Sequence, residues 1–193
     1  MVALLCLGWS YTSMDPTINI LPQIFQQFNP FFVIALTPVS LAVFGYLARK
    51  GKEPSAPRKI GIGMMIAVCG FLIMAIGSIG LPTPDALAVS GIEKDALVYP
   101  NWLISTYLVL TFAELFLSPM GISFVSKVAP PKYKGMMMGG WFAATAIGNY
   151  LVAIIGYLWG GMQLWMVWSV LIVCCLLAAL FIFSIMKKLE KVA

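Results

Sequence analysis

Residues 101–126 read NWLISTYLVLTFAELFLSPMGISFVS, a nearly continuous apolar run that carries a single charge, Glu114. A run of this length crosses the roughly 30 Å hydrocarbon core of a bilayer as one α-helix. Transmembrane β-strands are shorter and alternate between apolar and polar residues, so the run does not fit a barrel. This segment alone therefore predicts a helical membrane protein.

Four further segments have the same character and contain no charge at all: residues 31–48, 60–81, 135–159 and 162–186. The whole chain is 61% hydrophobic and only 10% charged, whereas a soluble domain carries about 25% charged residues. We therefore predict an all-α integral membrane protein with five full transmembrane helices and an N-terminal stub.

The first 28 residues differ from the remainder. Residues 1–10 are apolar but too short to span and lack a basic segment, so we expect the stub of a truncated helix rather than a signal peptide. Prolines at Asp15-Pro16 and Leu21-Pro22 interrupt any long helix, which predicts an outer connection up to residue 28. Residues 29–193 are predicted to form the helix bundle.

The charges give the orientation. Of the 12 Lys and Arg residues, 11 lie in the connections 48–59 and 126–134 or in the C-terminal tail. The positive-inside rule makes these parts and the C-terminus cytoplasmic, and we expect a multi-pass protein of the cell membrane, in a bacterium the inner membrane. The Lys and Arg residues lie in short clusters between the apolar segments, and no basic patch adjoins exposed aromatic residues. We therefore expect no nucleic-acid partner.

Several kinds of chemistry are missing from the sequence. The chain has no histidine, and its four cysteines lie inside apolar segments without a CxxC pair. We therefore expect no disulfide and no metal site. No glycine-rich phosphate loop is present, and no cluster of acids offers a metal site or a paired-carboxylate mechanism, so we expect neither an enzyme nor a bound cofactor.

Glu114 is the strongest candidate for a functional residue. It lies near the middle of its span, where an ionisable group costs several kcal/mol unless it faces a cavity or a partner. Tyr107, Thr111 and Ser118 share its helix face by their spacing, and Pro119 is expected to kink the helix beside them. A carboxyl group held neutral in a helix–helix hydrogen bond is the structural alternative.

Three other positions have equally plausible structural interpretations. Asn29 before Pro30 could simply cap a helix, and the Ser118 hydroxyl could bond back to its own helix. Asn149 follows Trp141 by two turns, and for its amide we favour a role in helix packing over a role in ligand binding. The small residues Gly140, Ala144 and Gly148 recur at four-residue spacing and also favour a close helix contact.

Three motifs in this order resemble one family. QFNPFFVI at 27–34, ELFLSPMG at 114–121 and GWF at 140–142 are similar to the eighth, tenth and eleventh helices of proton-dependent oligopeptide transporters, within the major facilitator superfamily. The resemblance covers almost the whole chain. It implies the C-terminal half of a secondary transporter that couples proton entry to di- or tripeptide uptake by alternating access, with the proton gradient as driving force and no cofactor.

The resemblance also implies residue roles. Glu114, matching the tenth-helix glutamate, would bind the amino terminus of the peptide and take part in proton coupling. Asn29, Ser118 and Trp141 would complete the substrate-binding site. The partners would be small peptides, protons, the lipid bilayer, and the N-terminal helix bundle or second chain that the family fold requires. A truncated membrane protein that serves as an interaction scaffold without transporting is the alternative.

Overall fold

A computed structural model describes residues 22–86 and 100–192. The chain forms a short helix α1 (Pro22–Phe25) and five long helices: α2 (Phe28–Arg49), α3 (Ala56–Gly77), α4 (Pro100–Val128), α5 (Lys134–Leu158) and α6 (Leu164–Val192). A single 3-10 turn, Pro131–Tyr133, precedes α5. The predicted stub, most of the outer connection and much of the loop before residue 100 lie outside the described residues.

All five long helices have the length and apolar character of membrane spans. The fold prediction, an all-α membrane protein with five full transmembrane helices, is therefore confirmed. The predicted ends differ by a few residues in places. Helix α3 begins four residues before the predicted 60 and ends four before the predicted 81, because Pro57 starts it early and a turn with Gly80 at positive φ follows its end.

Helix α6 continues six residues beyond the predicted end at 186. The extension carries Glu190, whose carboxylate accepts hydrogen bonds from the Ser55 hydroxyl and the Arg58 guanidinium at the start of α3. The Arg58 Nε lies 2.6 Å from Glu190 Oε1. These contacts stabilise the polar last turns of α6 as helix, although the apolar run from which the end was predicted stops at residue 186.

Helix α3 lies between α4 and α6. Three of its glycines, Gly63, Gly70 and Gly77, recur every seven residues and form a glycine seam against α4. A Cβ atom at Gly63 would lie 2.9 Å from Phe116 Cβ, and one at Gly70 would lie 2.8 Å from Leu110 Cδ2. Small residues let membrane helices approach until their backbones nearly touch, which strengthens van der Waals packing.

The opposite flank of α3 packs on α6 in the same manner. A Cβ atom at Gly61 would lie 2.9 Å from Phe183 Cζ. Further along, the rings of Phe71 and Trp168 stack with centroids 6.3 Å apart. Since low numbers of α3 meet high numbers of α6, the two helices are antiparallel.

Helix α5 packs less closely on the other described helices. Its main contact is with α4. Gly140, Ala144 and Gly148 are exposed, and a Cβ atom at either glycine would meet nothing within 4 Å. The described residues therefore give the predicted small-residue stripe no close helix partner. Asn149 is exposed on the same helix.

Candidate functional site

Glu114 is the fifteenth residue of α4 and lies about 21 Å along it, near the middle of the span. Its side chain is exposed rather than packed into the bundle. Within the described parts of the chain, no Lys or Arg forms an ion pair with it. The carboxyl group is thus available to a ligand or to a cation supplied from elsewhere.

Asn29 binds Glu114 directly. Its Nδ2 donates a hydrogen bond of 3.3 Å to Glu114 Oε2, which joins the start of α2 to the middle of α4. The residue that precedes α2 is Gln27, and Asn29 is already the second helical residue, so its side chain is not a helix cap. Of the two interpretations of Asn29-Pro30, the capping one is therefore wrong.

Ser118 follows Glu114 by one turn on α4 and is exposed. Other hydroxyls in these helices, such as Thr37, Thr106 and Thr145, donate to the carbonyl four residues earlier. Ser118 makes no such bond within the described structure, so its hydroxyl is free for a ligand. Pro119 lacks an N–H, which leaves the Leu115 carbonyl without its helical donor.

Trp141 of α5 reaches the same stretch of α4. Its indole ring lies against Gly121, where any Cβ atom would overlap the ring. Because Gly121 is three residues after Ser118, the indole lies on the helix face that carries Ser118. Sequence reasoning did not identify this role of Gly121, although a glycine one turn beyond the Ser-Pro step is the signal that could have indicated it.

The predicted polar face of α4 is not continuous. Thr111 is 0% exposed, and its Oγ1 has no hydrogen-bond partner among the described residues, while Glu114 and Ser118 are exposed. Tyr107 is half-buried. Spacing places these residues on one side of the helix, but the neighbouring helices cover that side at Thr111 and leave it open at Ser118.

The four predicted site residues thus come from three helices: Asn29 from α2, Glu114 and Ser118 from α4, and Trp141 from α5. Asn29 and Glu114 are in contact, and Ser118 lies between that contact and the seat of Trp141 on α4. No group of three metal-ligating side chains occurs in the described ranges. The arrangement offers a carboxylate, an amide and a hydroxyl beside an aromatic ring, which suits a small polar ligand that carries a cation.

Comparison with known proteins gives the family. The sequence model PTR2, described as the POT family, matches residues 6–160. The chain is 35% identical over 132 residues to the peptide transporter YePEPT of Yersinia enterocolitica subsp. palearctica serotype O:3 (strain YE-P4), which covers 68% of this chain and 24% of that protein. It is 31% identical over 134 residues to dipeptide and tripeptide permease B of Xenorhabdus bovienii (strain SS-2004), covering 68% and 25% respectively.

A solved structure gives the same result. The crystal structure of a peptide transporter POT in complex with sulfate superposes with a TM-score of 0.75 at 25% identity, covering 92% of this chain and 33% of that one. The chain spans about a quarter of the length of the curated relatives that it matches. These relatives are transporters and not enzymes, and the resemblance seen in the three motifs is confirmed: the chain belongs to the POT family of multi-pass membrane proteins.

Proposed function

We propose that this chain forms the C-terminal part of a proton-coupled symporter of di- and tripeptides that works by alternating access. The observation that carries the proposal is the hydrogen bond between Asn29 and Glu114, near the middle of the span, with no cation beside it in the described structure. The named transport activities of the relatives support the substrate class. The remaining bundle would come from a partner or from further sequence.

The chemistry follows from the charge of Glu114. An ionised carboxylate attracts the ammonium group of a peptide strongly in a cavity of low dielectric constant. Asn29 holds one carboxylate oxygen, which limits the number of orientations that the side chain can adopt. A proton that enters together with the peptide and then reaches Glu114 removes the attraction and favours release, so proton entry and peptide entry are coupled in the same direction. The proton gradient then drives accumulation without a cofactor.

Glu114→Gln tests this proposal, because it keeps the shape and hydrogen bonding of the side chain but fixes the neutral state. We expect the assembled variant transporter to reach the membrane in the same amount as the parent. It should lose gradient-driven dipeptide accumulation, and its binding free energy for dipeptide should weaken by about 1–3 kcal/mol. The measurement is dipeptide uptake against external pH in cells without other peptide transporters. Asp85→Asn, at an exposed carboxylate outside the spans, is the matched control and should behave as the parent.

The result that contradicts the proposal is specific. If Glu114→Gln accumulates dipeptide with the affinity and pH dependence of the parent, the carboxylate has a structural role. If the parent assembly takes up no peptide at all, the substrate class is wrong.

We also propose that the basic ends of the helices and the C-terminus face the cytoplasm of a bacterial inner membrane. The support is that 11 of 12 bases lie at the same ends of the predicted spans. In a cysteine-free background, a membrane-impermeant thiol reagent should label a cysteine at Ser90 in intact cells but not one at Lys52. The reverse pattern would invert the orientation.

A further inference from the structure

Among the described residues, Lys59 is the one charged residue that is buried, with 4% of its surface exposed. It lies in the first turn of α3 and forms an ion pair with Glu53, which is itself well exposed. Its Nζ also lies 4.3 Å from the centroid of the Phe44 ring on α2. The preceding residue, Arg58, is exposed and points to Glu190 of α6 instead.

The Phe44 ring connects Lys59 to the helix that carries Glu114. Its edge packs on Phe116 of α4, with ring centroids 4.9 Å apart. Phe116 in turn lies against Gly63, one turn after Lys59 on α3. Phe44, Lys59, Gly63 and Phe116 therefore close a ring of contacts, the three-helix junction, between α2, α3 and α4.

The Phe44–Phe116 contact in this junction joins α2 to α4, as the hydrogen bond between Asn29 and Glu114 also does. Phe44 is fifteen residues after Asn29, so the two contacts are about 22 Å apart along α2. Helix α2 is continuous between the two contacts, with Pro38 inside it, and over that length a tilt of about 3° at the junction moves Asn29 by about 1 Å. A shift of that size is enough to break a hydrogen bond that is already 3.3 Å long.

We propose that Lys59 is a positioning residue for the substrate site: by holding Phe44 against Phe116, it fixes the tilt of α2 and thereby places Asn29 beside Glu114. The inference rests on the proposed peptide site for its functional consequence. Its structural part, the control of the spacing between α2 and α4, stands independently of what is transported.

Stability alone does not explain the burial of Lys59. Replacing a buried ion pair by apolar groups of similar volume is often neutral or stabilising. Lys59→Met keeps the length of the side chain and leaves Glu53 unpaired only at an exposed position. The variant should therefore fold, and a purely structural lysine would leave both helix spacing and peptide affinity unchanged.

The first test measures the spacing directly. Spin labels at Ile34 on α2 and Leu108 on α4, both exposed, report the distance between the helices in a background without the native cysteines. The sample is the chain purified from membranes with any protein that remains bound to it. Lys59→Met should broaden and shift the distance distribution, Lys59→Arg should restore it, and Arg58→Met, which breaks the contact with α6, should leave it unchanged. An unchanged distribution in Lys59→Met overturns the proposal.

The second test measures dipeptide uptake by the assembled transporter. At an unchanged amount of protein in the membrane, Lys59→Met should raise the KM by about 5- to 20-fold, the scale of weakening one hydrogen bond to a charged group. Lys59→Arg should restore the KM, and Arg58→Met should keep the KM of the parent. A parental KM in Lys59→Met contradicts a positioning role. If the parent takes up no peptide, the proposed function fails, and the spacing experiment alone decides the inference.

Discussion

The helices on the two flanks of α4, α3 and α5, use their own glycines in opposite ways. On the α3 flank, Gly63 and Gly70 leave no room for a Cβ atom, and seven residues of α3 are buried. On the α5 flank, a Cβ atom at Gly140 or Gly148 would have no neighbour within 4 Å, and none of the residues of α5 whose burial is described is buried. The glycines of α3 thus allow close packing, whereas Gly140 and Gly148 of α5 have no close neighbour among the described residues.

This difference separates two tasks within the described chain. Helix α3 packs closely on both α6 and α4, the helix that carries Glu114. Helix α5 contributes Trp141 to the site and otherwise presents its side chains outward, including Tyr150 and Tyr157. Helix interfaces in membranes depend on such close packing, so substitutions on the two flanks should have unequal effects on stability.

The largest effect is expected for Gly63→Leu. The added side chain would collide with Phe116 Cβ and with the Ala113 carbonyl, a backbone atom that cannot turn away. Overpacking of this kind destabilises by about 1–3 kcal/mol. Denaturant unfolding of the detergent-solubilised protein, followed by tryptophan fluorescence, measures it. Gly148→Leu is the matched control and should unfold as the parent does; equal losses in both variants would remove the distinction between the flanks.

A smaller effect is expected for Glu190→Gln on the packed side. The substitution keeps one acceptor oxygen, which the Ser55 hydroxyl can still use, but removes the second acceptor and the charge that pairs with Arg58. Because the Arg58 side chain is 59% exposed, solvent and salt screen the pair. We expect a loss of unfolding stability smaller than that of Gly63→Leu, present at low ionic strength and absent in 1 M salt. A loss that is independent of salt would show that the contact acts through packing rather than charge.

The membrane spans could be predicted from sequence because length and hydropathy are properties of each segment alone. The depth of Glu114 followed from its position in the run. In each of these cases, one helix by itself contains the necessary information.

Contacts between helices were harder to predict. Spacing identified the stripe Gly140–Ala144–Gly148, but a face of small residues does not specify its partner, and the tight seam lies instead at Gly63, Gly70 and Gly77. Lys59 was one base among five in the connection 48–59, and only the fold places it under Phe44. The burial of Thr111 likewise depends on neighbouring helices, which periodicity within α4 does not describe.

The bond between Asn29 and Glu114 has a consequence for how the pair responds to a proton. A carboxylate can only accept, so with Glu114 ionised the Asn29 amide must turn its N–H group toward it and its oxygen away. A protonated carboxyl can donate, and a half-turn of the amide then lets the Asn29 oxygen accept that proton while its N–H group faces outward. Helices α2 and α4 can stay joined in both states while the outward-facing group of the Asn29 amide changes from an acceptor to a donor.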